Sequence, residues 1–363
     1  MTDVTIRKLE ASDLPLVSNL LETRNELDKK SAEIRTELME WIAFHNPARE
    51  NGEATYYVVE DQNKIVAFHG RMPVWFNDRG KTKKGYYVHD LYVDPEYRKK
   101  GMGFWLTIAM AKEIEEKSDS VFCLLGMTPL NLKMQRRRGY HETETVGFGK
   151  ILNPRKQLKK LLKSDLIVSI LNPVVKLMFS FVDVILLSFI NSKGVYEVKQ
   201  FDDRFNELNQ RLMEKTAISS VRDKDYLNWK YIDRPYPREK VLAVDRQGEL
   251  KGFIIVGPSP YNKLMDSGRI VDLWADPEDQ QTVRALLKAA IQYFKTIKSH
   301  QLTCVSSDPR FKKSFKRLLF LEKPGKTFMI GNLDKVDIDN ERLKDIRNWH
   351  VTYGESDAYM LNT

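Results

Sequence analysis

The sequence predicts a mixed α/β fold laid out as a tandem duplication, with a helical, apolar linker between the halves. Three observations predict it. The 363 residues exceed the span of one hydrophobic core, and 42% hydrophobic residues suffice to fill two. Residues recur in order at a nearly constant separation. Asp90, Leu91, Asp94, Pro95 and Glu96 return 182 positions later as Asp272, Leu273, Asp276, Pro277 and Glu278, and Trp41 and Pro47 return 188 later as Trp229 and Pro235. Hydrophobic periodicity in the first copy gives strands grouped first, then helices flanking a last parallel pair. The alternative is two unrelated α/β domains with similar strand ends. The organisation that follows is a first half at 1–150, a linker at 151–194, a second half at 195–335 and a C-terminal extension at 336–363.

The elements of the first half follow in order. A short strand near Val4–Lys8 leads to a helix capped by Ser12 or Asp13, with Pro15 in its first turn. Ile34, Leu38, Trp41 and Ile42 at helical spacing predict a second helix over 31–45. Apolar runs at 55–60, 64–69 and 86–93 read as strands. A helix over 102–117, a buried strand over 120–125 and a helix over 129–138 that stops at Gly139 complete the unit.

Composition excludes several classes. Two cysteines, Cys123 and Cys304, form neither a disulfide framework nor a metal cluster, and suit a reducing compartment. The first ten residues lack the apolar core of a signal peptide, so a cytoplasmic location is expected. The net charge of +9 is uneven: Thr145–Ser164 holds six basic residues (Lys150, Arg155, Lys156, Lys159, Lys160, Lys163) and no acidic one. So local a patch argues against nucleic acid and suits an anionic membrane surface better. Leu166–Ile190 follows as the most apolar stretch of the chain. Its length would span a bilayer, but Asn172, Pro173, Lys176 and Asp183 oppose spanning. Linker helices packed on the protein, or peripheral membrane contact through 150–190, remain.

The sharpest local signal is Val93-Asp-Pro-Glu-Tyr-Arg98-Lys99-Lys100-Gly101-Met102-Gly103-Phe104. A strand ends, a turn follows, and a helix begins near Met102. Glycines two apart let backbone N–H groups approach an anion, and a helix N-terminus and three cations add positive potential. Taken alone, the segment reads either as a site for a pyrophosphate or as a solvated basic turn before a surface helix. It is neither a dinucleotide fingerprint nor a Walker loop, since Leu106 stands where a third glycine would be and no Gly-Lys-Ser/Thr follows.

The pattern V-x-P-x-Y-R-x-x-G-x-G after a strand resembles the acetyl-coenzyme A loop of the GCN5-related N-acetyltransferases (GNAT family). Val121–Leu125, Thr128–Asn131 and Arg137-Arg138-Gly139-Tyr140 resemble that family's motif B, and Thr5–Asp13 its opening strand and helix. The resemblance covers most of 1–150. It implies that the backbone of Arg98, Lys99, Lys100, Gly101, Met102, Gly103 and Phe104 binds the pyrophosphate of acetyl-CoA or another acyl-CoA. The strand edge Leu91, Tyr92 and Val93 would pair with the pantetheine arm, with Asn131 beside it, and Arg136–Arg138 would either meet the adenosine phosphate or be a solvated helix end. Looser likenesses, Arg222–Pro235 and Trp349–Asp357, suggest tandem-GNAT proteins of cell-surface polysaccharide synthesis. There Tyr226, Trp229 and Tyr231 either stack on a sugar or form core.

The expected chemistry is attack of an amine on a thioester, which needs an acceptor for the amine proton. The family's base falls at His89, with Asp90 beside it. Adjacent strand residues face opposite ways, so only one should look into the cleft. His89 is the favoured base. Asp90 recurs as Asp272 and reads as structural, whereas His89 is replaced by Val271. The family's thiolate-protonating tyrosine is Gln135 here, so either another hydroxyl, Tyr140 or Tyr92, protonates the sulfur, or no acid is needed, or the half-site does something else. The second half has Gln280–Ala285 at the loop position, with Val283 and Ala285 for the glycines, so one cofactor per chain is expected. The chain thus reads as a GNAT-type acyl-CoA-dependent N-acyltransferase acting on a small primary amine such as an amino sugar. The alternatives are a non-enzymatic acyl-CoA-binding sensor and a Fem-type aminoacyl transferase.

Overall fold

A computed structural model describes residues 4–24, 27–99, 102–259 and 267–356. The first half runs β1 (Thr5–Lys8), α1 (Leu14–Arg24), α2 (Lys29–Phe44), β2 (Tyr56–Asp61), β3 (Lys64–Asp78), β4 (Lys81–Val93), α3 (Pro95–Lys99), α4 (Met102–Glu115), β5 (Val121–Leu125), α5 (Pro129–Arg137) and β6 (His141–Ile151). Two helices follow, α6 (Arg155–Leu162) and α7 (Asp165–Ser188). The second half runs β7 (Val195–Val198), α8 (Asp203–Met213), β8 (Ile218–Ser220), α9 (Lys224–Tyr231), β9 (Lys240–Arg246), β10 (Glu249–Pro258), β11 (Ser267–Ala275), α10 (Gln280–Thr296), β12 (Gln301–Ser306), α11 (Lys312–Arg317) and β13 (Leu321–Gly331). Beyond β13 the described residues form α12 (Asn340–Lys344) and β14 (Trp349–His350).

These elements make one mixed α/β sheet, ordered β1-β2-β3-β4-β5-β13-β6-β12-β11-β10-β9-β7. The order is a palindrome of the two halves. In each, an antiparallel meander ends in a parallel pair, Gly85–Tyr87 with Val121–Cys123 and Ser267–Arg269 with Gln301–Thr303. The last strand of each half leaves its own sheet. β13 pairs with β5, Phe328 opposite Leu125, while β6 pairs with β12, Cys304 opposite Phe148. β6 and β13 then pair with each other at the centre. Each half is therefore closed by a strand from the other.

The cores follow from this exchange. The main core of the first half joins Leu38, Ile42, Phe68 and Phe76 with Phe328 of β13, Trp229 of α9 and Trp349 of β14. The recurring tryptophans meet directly, Trp41 Nε1 donating to the carbonyl of Trp229 at 3.1 Å. Tyr226, Trp229 and Tyr231 are all buried, so they are core and not a sugar-stacking platform.

Several boundaries differ from the sequence reading. β3 and β4 form a hairpin over 64–93, much longer than the runs 64–69 and 86–93, because β8 of the second half pairs with Phe76–Asp78 and supports their far ends. The contacts before α1 come one turn early: Asp13 accepts from the Glu10 amide at 2.8 Å and holds Arg7. Pro173 lies inside α7 without ending it. Lys150 is buried, unlike its basic neighbours, and pairs with Asp183 of α7 at 2.7 Å.

Candidate active site

Beyond the parallel pair Gly85–Tyr87 and Val121–Cys123, β4 and β5 separate. Among the described residues no strand pairs with Val88–Val93 on that side. At the mouth of this V, Asp94 fixes the turn: its amide donates to Val66 at 2.8 Å and its carboxylate accepts from the Glu96 amide at 2.7 Å. α3 carries Arg98, whose guanidinium lies over the Tyr92 ring at 5.8 Å, and Lys99. α4 begins at Met102, and Leu106 and Met110 seat it on Val66 and Val93. Phe104 and Trp105 are exposed on its first turns. Lys100 and Gly101 lie outside the described residues. Leu91 and Tyr92 are half-buried in β4. Asn131 sits in the first turn of α5, where its side-chain oxygen accepts from Gln135 at 2.9 Å. The free strand edge and the α4 N-terminus are thus brought to one end of the sheet.

At the apex of the V, His89 and Asp90 do not face opposite ways. Asp90 has φ +53, and β4 bulges against β3 between the pairs Phe68–Tyr92 and Gly70–His89. The extra residue undoes the strand alternation. One tyrosine therefore reaches both side chains, Tyr56 Oη lying 3.4 Å from His89 Nδ1 and 3.0 Å from Asp90 Oδ2. Gly70 makes room for them, since a Cβ there would lie 2.6 Å from His89 Cε1 and 2.8 Å from the Tyr56 ring. Asp90 forms an ion pair with Arg35 of α2. Burial raises the Asp90 carboxyl above its usual range, against the pull of Arg35 and Tyr56. Burial, with further unfavourable interactions from His69 and Arg35, holds His89 well below the ordinary histidine value. His89 is therefore a neutral imidazole near neutral pH, able to accept a proton but only as a weak base.

Sequence reasoning missed Tyr56 and Arg35. One signal was available for Arg35: it precedes Trp41 by six residues as Arg222 precedes Trp229 by seven, and Arg222 binds Asp272 as Arg35 binds Asp90. Tyr140 is not brought to the site. It packs with Tyr86, Ile114 and Phe122, at the closed end of the V and the far end of α4 from Met102. Its ring lies so close to Gly331 that a Cβ there would come within 2.2 Å. Among the two candidate acids, only Tyr92 stands near the loop. Arg136 and Arg138 are taken up by Glu142 and Glu115, which favours the helix-end reading.

The matching V of the second half is filled. The C-terminal segment Trp349–Glu355 enters between β11 and the end of β12. Ser307 N donates to the Val351 carbonyl at 3.2 Å, and Thr352 Oγ1 donates to Asp272 at 3.1 Å. Arg222, 1% exposed, bridges Asp272 at 2.9 Å and Glu355 at 2.8 Å. Buried Lys230 donates to the Gly354 carbonyl. Where the first half has Tyr56 opposite Gly70, the second has Val241 opposite Ile255. The two V-shaped openings of one sheet thus differ in chemistry and in access.

Three histidines are held neutral by burial: His89, His69 lowered to about 3 with help from Arg138, and His350 lowered to about 4 despite Asp272. The unfolded chain binds protons on them more readily. Stability is then fully present above about pH 6.5 and falls as pH drops towards the folded values. At about pH 5 each histidine is expected to cost on the order of 2 kcal/mol. Urea midpoints measured across this window should fall with acidification, and a flat profile would contradict the assignment.

Residues 19–136 match the acetyltransferase (GNAT) family. No curated protein matches the chain. Among solved structures, a GCN5-related N-acetyltransferase from Anabaena variabilis is similar at a TM-score of 0.58 and 15% identity, covering 90% of this chain and 72% of that one. Saccharomyces cerevisiae N-myristoyltransferase with bound myristoyl-CoA is similar at 0.56 and 15%, covering 92% and 83%. A GCN5-related N-acetyltransferase from Kribbella flavida is similar at 0.55 and 13%, covering 90% and 70%. At these identities the likeness is one of fold, and it extends over both halves.

Proposed function

We propose, from the premise that residues 19–136 form a domain of the acetyltransferase (GNAT) family, that this chain is an acyl-CoA-dependent N-acyltransferase. It transfers an acetyl or longer acyl group to a small primary amine, an amino sugar being the favoured acceptor. The observation that carries this reading is the V between β4 and β5, which opens in front of the α4 N-terminus with His89 at its apex. Arg98, Lys99 and the amides opening α4 would hold the pyrophosphate, and the Leu91–Val93 edge the pantetheine amides. The amine nitrogen bonds to the thioester carbonyl carbon, the C–S bond breaks, and CoA leaves as a thiolate. His89, directly or through a water, takes the proton lost by the amine, and Tyr92 would protonate the sulfur.

Amine-dependent release of free CoA, screened with acetyl-, octanoyl- and palmitoyl-CoA against amino sugars and amino acids, tests the reading. Binding of acyl-CoA with no release towards any amine would make the protein a sensor instead. Calorimetry is expected to give one acyl-CoA per chain, because the second V holds Trp349–Glu355 and has Val283 and Ala285 at the loop. A ratio of two would overturn this part.

A further inference from the structure

The α6–α7 hairpin leaves an apolar surface that the fold does not use. α7 has 24 residues, about 36 Å of helix at ~1.5 Å per residue. Leu166, Ile170, Leu177, Phe181, Val184 and Phe189 along it are each 64–85% exposed. Only a narrow stripe turns inwards. Val168, Asn172, Val175, Asp183 and Leu187 are buried or half-buried at helical spacing, so the helix lies along the rest of the chain instead of projecting from it. Asp183 fastens the stripe, its two oxygens held by Lys150 at 2.7 Å and Lys295 at 2.6 Å. Among the described residues the outer face has no such partners.

Charge identifies what would cover that face. α6 and its C-terminal turn expose Arg155, Lys156, Lys159, Lys160 and Lys163, and α7 exposes Lys176. The only carboxylates over Arg155–Ser188 are Asp165 and Asp183, and Asp183 is already buried against lysines. A basic helix beside an apolar one matches the two layers of an anionic bilayer surface, headgroup and acyl chain. A second copy of this chain fits less well, because a symmetric contact would bring two such cation clusters together. Spanning fits less well again, because the inward stripe ties α7 along its length and Asp183 would have to leave its lysines.

We propose that α6 and α7 form an interfacial anchor that lays the protein on an anionic lipid surface. α7 sinks its outer face among the acyl chains and the α6 cations pair with lipid phosphates. This inference does not depend on the reading of the cleft. The experiment is co-sedimentation of the full-length protein with phosphatidylcholine vesicles with and without phosphatidylglycerol. Binding is expected to need phosphatidylglycerol and to weaken with salt. Leu177→Glu/Phe181→Glu should abolish it, and Lys156→Gln/Lys160→Gln should weaken it by about twenty-five-fold, near fivefold per charge removed. All four positions are exposed, so circular dichroism and acyl-CoA binding should be unchanged in both variants. Undiminished sedimentation of the Glu variant would overturn the proposal. So would a stable dimer that ignores vesicles and is dissociated by Phe181→Glu, and so would protease protection of α6 inside sealed vesicles.

Discussion

Replacing Arg222 by methionine is expected to destabilise the fold by about 3–5 kcal/mol, the range for removing one partner of a buried ion pair. Arg222 donates to Asp272 at 2.9 and 3.2 Å, to Glu355 at 2.8 Å and to the Ser220 carbonyl at 2.9 Å, and its guanidinium lies 4.6 Å from the centre of the Trp274 ring. Methionine fills the volume but strands two buried carboxylates with Lys230 as their remaining cation. Lys230 is itself lowered to about 8 by burial, against the pull of Glu355 and Asp272. Thermal or urea unfolding reads the loss. The second readout is local: the segment Trp349–Glu355 should become susceptible to proteolysis, since Arg222 joins it to β11. A variant with wild-type unfolding would show that the cluster contributes little.

His89→Ala should lower turnover by about 10²–10⁴-fold, the usual contribution of a positioned proton acceptor, while leaving acyl-CoA affinity within a few fold. Its pH profile is informative. Because His89 is held neutral well below the ordinary histidine value, activity should not fall through about pH 6.5, where an exposed histidine would titrate. Asp90→Asn is the contrasting variant. It removes the charge opposite Arg35 at a place where the other half has the pair Arg222–Asp272, so its main effect should be on stability. An unchanged rate and pH profile in His89→Ala would remove this residue from the mechanism.

The mixed α/β plan and the turn from β4 through α3 to α4 were legible because they rest on local rules: period, turn residues and helix starts. Three features were not. Neither β6 nor β13 is among the strands that the sequence predicts, and no local rule names a partner across the halves, so their exchange was invisible. The bulge at Asp90 depends on an extra residue measured against β3, and without it the rule of alternate faces put His89 and Asp90 on opposite sides. The burial of Tyr226 and Trp229 depends on β3, β14 and α2 arriving from elsewhere, and that of Tyr231 on Phe205, Phe253 and Tyr353, whereas helical spacing alone suited either a core or an exposed platform. Tyr140, next to a motif in sequence, is separated from the site by the length of α4.

The crossing of β6 and β13 sets the order in which the molecule can be completed as it leaves the ribosome. When Ile151 emerges, the edge of β5 still lacks its neighbour, which is not made until Gly331, some 180 residues later. At about 5–20 residues per second the nascent first half waits on the order of ten to forty seconds with that edge unsatisfied. During that interval a holding chaperone has a defined segment to shield, Val121–Leu125, and neither half cut at the linker would be a self-sufficient folding unit.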